Sequence, residues 1–294
     1  MTGANGYIGL HLKRILERKK YKVVTSTREN NGSMYMDFSK PSEVLSQYIS
    51  GIDVMIHTVS PNDKLFKTNP YNALSENAMG IHAALDFCVN NNIRNFIYFS
   101  SFHVFGTTHG ILNETSHVAP QSDYGLAHYV AEQTVQMFDR NKKLNAWIIR
   151  PSNLFGIPVL LDKFKRWNLI PFLFCKEAVN YNTITLLTPG NQLRNFVGVT
   201  DVCKRVLWIL DETPDGRIIH SYGKETISVF QFALLVQKVA LETFNLPVRI
   251  IRPERKDTIV DFQFTSIYDN QEILPEDELK IFVEEMLRLL LDNK

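Results

Sequence analysis

Residues 2–9 read TGANGYIG, which sets Gly3, Gly6 and Gly9 in a G-x-x-G-x-x-G spacing directly ahead of a helical pattern. Glycines so spaced let the backbone turn tightly and approach a pyrophosphate, whose charge then faces a helix N-terminus. Gly3, Gly6 and Gly9, with Tyr7 and Ile8 at the helix start, are therefore candidate cofactor-binding residues. A plain turn before a helix could carry the same letters. The phosphate reading is favoured because a helix, the next strand and a four-strand rhythm come after the loop in order.

Strands are predicted at Lys22–Thr27 (KVVTST), Asp53–Thr58 (DVMIHT), Asn95–Ser100 (NFIYFS) and Asn145–Arg150 (NAWIIR). Helices are predicted at about Tyr7–Arg18, Ser42–Ile49, Tyr71–Asn90 and Tyr124–Asn141. Strands separated by helices need crossover connections, hence a parallel sheet covered on both faces. After Pro151 the rhythm breaks. The stretch 157–182 is rich in Leu, Phe and Trp without a clean period. Beyond it a helix is expected at Val199–Leu210, a strand at Gly216–Tyr222 and helices at Ser228–Thr243 and Glu276–Leu291. The fold class is thus α/β: a doubly wound parallel sheet over 1–155, rejoined by 195–222, with a smaller interleaved α/β substrate domain from 156–194 and 223–294.

Only Met1 and Thr2 precede Gly3, whereas such a loop should come after a buried central strand. Removing that strand would leave ladder groups unpaired and open the core, at a cost above the ~5–15 kcal/mol that holds a domain together. Two expectations stand side by side. Either the sequence starts a few residues short of the strand, or another segment fills its place.

Cofactor choice turns on the end of the second strand, where an acid would bind a ribose diol and favour NAD. Here Thr27 stands in that place with Arg28 next to it, a pair suited to a 2′-phosphate, so NADP is preferred over NAD. A solvated strand-end cation is the plainer role for Arg28. Asp37 and Phe38 could bracket an adenine by hydrogen bond and by packing.

Lys+Arg number 32 against 31 Asp+Glu, which gives no electrostatic case for nucleic acid or an anionic membrane as partner. No apolar run reaches the ~18 residues a membrane span needs. Cys88, Cys175 and Cys203 lie in separate apolar stretches, as buried free thiols of a reducing compartment would. A cytoplasmic protein is expected.

Eight stretches in order resemble the extended short-chain dehydrogenase/reductase family, in its NAD(P)-dependent nucleotide-sugar epimerase, dehydratase and reductase branch: TGANGYIG, GIDVMIHTVSP (51–61), ENAMGIHAALDFC (76–88), FSSFHVFG (99–106), YGLAH (124–128), RPSNLFG (150–156), RNFVGVTDV (194–202) and GKETISVFQF (223–232). The resemblance spans nearly the whole chain. It implies a Rossmann-type nucleotide-binding domain and a cytoplasmic enzyme of polysaccharide biosynthesis that takes a nucleotide-sugar. It also implies that Ser101 hydrogen-bonds the reacting oxygen while Tyr124 exchanges its proton. Thr58 and Val59 would line the cofactor, Pro151 and Ser152 would lie beside the nicotinamide, Asn153 would face substrate and Asn77 would brace the sheet. Arg194 would hold the substrate diphosphate, a task for a fixed cationic fork; a surface salt bridge is its plainer role. Ser101 has a plainer role too, as a turn cap. A homodimer through helices matching Tyr71–Asn90 and Tyr124–Asn141 is implied as well.

The family's lysine is His128 here. Tyr124 and His128 share a helix face at i, i+4, so both can reach one ligand. A lysine would bond the nicotinamide ribose and, as a permanent cation, favour the tyrosinate. An unassisted tyrosine, with pKa ~10, stays protonated near neutrality. A histidine, at ~6.5 and pushed lower by desolvation, does little to change that. A protonated tyrosine suits ketone reduction, so the substitution leans toward a ketosugar reductase with a Ser101–Tyr124–His128 site. Microscopic reversibility keeps the barrier common to both directions. The acidic pair of the family's dehydratases is replaced by Phe102 and His103, which excludes sugar 4,6-dehydration. His103 is read as packed on its loop rather than as a substitute acid or base, and no metal site is assigned among the loop histidines His109 and His117. The competing reading is a catalytically weak dinucleotide-binding sensor or complex partner.

Overall fold

The computed structural model describes residues 1–28, 33–61, 63–254 and 260–293, in two compact units. The first comprises Met1–Thr107, Glu114–Pro151 and Arg205–His220; the second comprises Thr108–Asn113, Ser152–Lys204 and Ser221–Lys294. The helix Val199–Glu212 starts in the second unit and ends in the first.

The first unit is built on strands Val54–His57, Asn95–Phe99 and Asn145–Pro151, paired in parallel, with Ile218–Ser221 beyond the last. Alternation along these strands splits the core in two. Phe96, Tyr98, Ala146 and Ile148 join one apolar cluster with Ile81, Leu85 and Phe87 of the helix Pro70–Asn90 and with Ala131, Val135 and Phe138 of the helix Asp123–Arg140. Ile97 and Trp147 point the other way and line a cavity with Leu16 of the helix Tyr7–Arg18 and Ile209 of Val199–Glu212. The sheet is thus covered on both faces, as a parallel sheet requires.

On the other side of Val54–His57, Thr2 alone occupies the central position. It bridges both Ser26 and His57 in parallel, and Met1 and Thr2 supply the ladder: Ser26 N donates to Met1 O (2.9 Å) and Thr2 N to Ile56 O (2.9 Å). Among the described residues no other segment pairs there. Alongside lies a cavity of about 480 Å³, walled by Val23, Val24, Val54, Ile56, Ile97 and Trp147 among others. The strand expected over Lys22–Thr27 shortens in consequence to Ser26–Thr27, which pairs with Met34–Tyr35. Residues 22–24 have the right side chains for a strand, but they line that cavity.

The second unit holds a three-stranded sheet, with Leu193–Gly198 between Glu225–Ser228 (antiparallel) and Asn153–Phe155 (parallel). Helices Ile170–Tyr181, Val229–Phe244 and Leu279–Asp292 pack with it around Phe155, Phe172, Phe196, Phe232 and Phe282. The helix at 170–181 falls in the stretch without a period. The helix Val229–Phe244 starts with a capping box, Ser228 and Gln231 each satisfying the other's backbone N–H.

The three cysteines are buried free thiols. Burial pushes the Cys203 thiol up to about 12 and raises those of Cys88 and Cys175 as well. Among the described residues no helix is long and apolar enough to cross a membrane.

Candidate active site

The loop after Thr2 is closed by its glycines. Gly3 has φ +69°, open to glycine at little cost, and a side chain there would collide with Thr58 Oγ1 at 2.5 Å. Gly6 N donates to Gly3 O at 2.9 Å, and a Cβ on Gly9 would run into that same oxygen. Thr58 Oγ1 donates to Thr2 O (2.9 Å), and Val59 packs on Gly3, so the strand end at 58–59 braces the loop. The helix then opens on an exposed Gly6 with no side-chain cap, with Tyr7 and Ile8 half-buried in its first turn. A backbone pressed this close, ahead of a helix N-terminus without a side-chain cap, fits a dinucleotide pyrophosphate.

Arg28 is exposed just past the strand end. Asp37 and Phe38, the expected adenine bracket, both have partners within the protein. Phe38 is 5% exposed, edge-on to His57 at 4.8 Å, and so belongs to the core. The Asp37 carboxylate accepts from Ser39 N (3.1 Å) and Ser39 Oγ (2.8 Å), closing a turn.

Ser101 comes just after the strand Asn95–Phe99, and Tyr124 and His128 lie in the first two turns of the helix Asp123–Arg140. Ser101 does cap a turn: its Oγ accepts from His103 N at 3.3 Å, which leaves the hydroxyl proton available to a ligand. The half-buried Tyr124 ring has His128 at 4.6 Å, Phe66 at 5.6 Å and His103 at 5.6 Å between ring centroids. His103 is exposed rather than packed away, with its ring 4.3 Å from that of Phe102.

His128 is 2% exposed, and its Nδ1 lies 2.8 Å from the Tyr98 hydroxyl. Tyr98 is a site residue that sequence reasoning missed. Burial, reinforced by the charge of Glu132, holds its phenol well above the ordinary range, so it stays protonated. Asn77 Nδ2 donates to Ala127 O at 2.9 Å, tying one helix to the other beside His128.

Glu132 and Arg150 were also missed. Glu132, one turn beyond His128, accepts Arg150 Nε (2.8 Å) and Nη2 (2.6 Å) and the Ser100 hydroxyl (2.5 Å). The Arg150 guanidinium also lies over the Phe105 ring at 5.0 Å. Pro151 is buried at the end of the same strand.

In the second unit, Ser152 donates to Asn195 Oδ1 (2.7 Å) and Asn153 Nδ2 to Asn195 O (2.8 Å). Arg194 is half-buried, and burial lowers its pKa. Its Nη1 donates to Leu193 O (3.2 Å), and among the described residues no carboxylate pairs with it.

Residues 1–221 match the model of the NAD dependent epimerase/dehydratase family. The chain belongs to that family. Among curated relatives of this epimerase/dehydratase chain, it is 22% identical over 271 residues to an uncharacterized UDP-glucose epimerase, YtcB, of Bacillus subtilis, covering 82% of this chain and 81% of that one. A putative UDP-glucose 4-epimerase of Methanocaldococcus jannaschii is 27% identical over 224 residues, 72% of each chain. Solved structures share the fold. MoeE5 in complex with UDP-glucuronic acid and NAD superposes with TM-score 0.78 at 20% identity over 98% of both chains. DesIV, a dTDP-glucose 4,6-dehydratase of Streptomyces venezuelae with NAD bound, gives 0.81 at 17% identity, over 99% of this chain and 96% of that one.

Proposed function

We propose that this epimerase/dehydratase-family chain reduces the ketone of a nucleotide-activated ketosugar, using NADP in preference to NAD and a Ser101–Tyr124–His128 site. The observation that carries the reading is the pairing of His128 with Tyr98. The residue one turn beyond Tyr124 is a buried imidazole held by a phenol, and it brings no permanent cation beside the tyrosine. Tyr124 then enters the reaction with its proton on, as an acid.

A reduced nicotinamide, when bound, supplies the hydride. Ser101 donates its hydroxyl proton in a hydrogen bond to the carbonyl oxygen and polarises it. Tyr124 passes its proton to that oxygen as the alkoxide forms. The Tyr98–His128 pair fills the space behind Tyr124 and keeps water out. Gly3, Gly6, Gly9 and the helix start at Tyr7 and Ile8 receive the pyrophosphate, with Thr58, Val59 and Pro151 lining the cofactor. Arg28 answers the 2′-phosphate. Arg194 offers a cationic fork that no carboxylate among the described residues pairs with, suited to a substrate diphosphate. Asn153 pairs in register with Phe196, two residues along the strand from Arg194, so both belong to one sheet. Two copies pair through Pro70–Asn90 and Asp123–Arg140, which expose Met79, Leu126, Val130 and Met137.

The test is a titration of NADPH and NADH with and without UDP-, GDP- and dTDP-ketosugars, with absorbance reporting hydride transfer. Oxidation of NADPH by a ketosugar supports the reading. Tight cofactor binding without turnover across the panel favours a dinucleotide-binding sensor, the alternative that a histidine in place of the family lysine at 128 also suits.

A further inference from the structure

Two serines stand side by side at 100 and 101, and their hydrogen bonds give them different tasks. Ser100 is held from two sides. Its N–H donates to Ile149 O at 2.8 Å, which ties the main chain to the strand Asn145–Pro151 one residue past the end of its own strand. Its hydroxyl donates to Glu132 Oε1 at 2.5 Å, a bond between buried groups that the carboxylate charge strengthens. Glu132 is itself held by Arg150 Nε (2.8 Å) and Nη2 (2.6 Å), from the same strand as Ile149. A carboxylate paired with a guanidinium only accepts, so the Ser100 proton is committed to it. Ser101 Oγ instead accepts from His103 N, at 3.3 Å, and keeps its proton for a ligand. Of the two hydroxyls, that of Ser101 is the one available for chemistry.

Glu132 belongs to the helix Asp123–Arg140 and lies two turns beyond Tyr124 on the same face. The Ser100–Glu132 bond therefore joins the start of the Ser101 turn to the helix that carries Tyr124. We infer that Ser100 is a positioning residue for Ser101: its bond to Glu132 sets the Ser101 hydroxyl against Tyr124. This rests on the proposed reading, in which both groups meet one carbonyl oxygen. An alanine at 100 keeps the Ile149 bond and the Arg150–Glu132 pair, so the fold is retained while the tie from loop to helix is lost. Misplacing a reacting group by about 1 Å costs on the order of 10²-fold in rate.

Crystal structures of the unmodified chain and of Ser100→Ala read the arrangement whatever the protein turns over. Ser100→Ala should change the separation between Ser101 Oγ and the Tyr124 hydroxyl by about 1 Å. An unchanged separation overturns the inference. Initial rates of NADPH oxidation by UDP-4-keto-6-deoxyglucose supply the second readout. In Ser100→Ala, kcat should fall roughly tenfold to a hundredfold while KM and the NADPH dissociation constant hold. Ser100→Thr, which keeps the hydroxyl, should retain the rate. In a Ser101→Ala background, Ser100→Ala should slow the reaction no further, because a residue that acts through another is not additive with it. An additive loss overturns the inference as well. Should Ser100→Ala not fold, Ser100→Cys, of nearly the same size with only a weak donor, carries the same expectations. No oxidation of NADPH by the unmodified chain counts against the proposed reading alone, since the crystal separations still decide the role of Ser100.

Discussion

Arg150 and Glu132 meet in a two-point ion pair, Nε to Oε1 at 2.8 Å and Nη2 to Oε2 at 2.6 Å, with side-chain exposures of 2% and 0%. Ser100, next to Ser101, donates to the same Oε1, and Glu132 lies one turn from His128. The pair therefore fastens the Tyr124–His128 helix to two strands. Removing one partner leaves the other charged, buried and uncompensated, which typically costs about 3–5 kcal/mol. Glu132→Gln should lower the unfolding free energy obtained from urea titration by that order. The double variant Glu132→Gln with Arg150→Met should recover much of it, because it removes the orphaned charge. A single variant as stable as the unmodified chain would mean that the pair does not clamp the helix.

His128→Lys tests which protonation state of Tyr124 the reaction uses. A lysine there sets a permanent cation beside the phenol, whose ring now lies 4.6 Å from the imidazole. The cation favours the tyrosinate, so the protonated acid is lost at lower pH. For ketone reduction the alkaline limb of the pH–rate profile should move down by about one unit or more. Initial rates of NADPH oxidation across pH read this. A limb that stays in place would remove Tyr124 as the acid.

The glycines of the loop separate binding from folding. A Cβ on Gly9 runs into Gly3 O and meets Ala4 Cα at 2.9 Å, so Gly9→Ala forces backbone to move and should destabilise the first unit. A Cβ on the exposed Gly6 meets only Gly3 O, at 3.1 Å. Gly6→Ala should cost about 1 kcal/mol in stability, as alanine does at a helix N-cap. It should weaken dinucleotide binding tenfold or more by crowding the phosphate. Thermal melts paired with NADPH and NADH titrations distinguish the two, and unchanged affinity in a folded Gly6→Ala would move the phosphate elsewhere.

Much of the first unit was legible because periodicity and local chemistry agreed. The helix Tyr7–Arg18 has the expected bounds, and the strands at 54–57, 95–99 and 145–151 lie inside or within a residue of theirs. Lys22–Val24 reads as strand by composition, yet ladder formation depends on a neighbour that no propensity encodes. The helix Ile170–Tyr181 escaped for another reason: it is apolar around most of its circumference, so no period shows. At the site, Glu132 had a signal, the i, i+4, i+8 series from Tyr124, and Arg150 had one as the single charge closing an apolar strand. Tyr98 had none. Its bond to His128 joins residues 30 positions apart, across a strand and a helix that meet only in the folded chain.

His57 makes stability depend on pH. It is fully buried, with its ring near those of Phe38, Phe96 and Tyr98 and its Nδ1 3.0 Å from Thr2 Oγ1. Burial, with a smaller push from the charge on the Met1 amine, lowers its pKa from 6.5 to about 3. Between those values the unfolded chain binds a proton there and the folded chain does not, so stability rises with pH through that window. The contribution is fully present above pH 6.5 and declines steadily as pH falls toward 3. Each pH unit in the window is worth about 1.4 kcal/mol, so the stability lost between pH 6.5 and 5 is about 2 kcal/mol. Urea titrations at pH 7 and 5 should show that loss. His57→Phe, which keeps the aromatic packing and removes the titrating ring, should flatten the slope while giving up the Thr2 bond. An equal slope in both proteins would assign the acid sensitivity to another group.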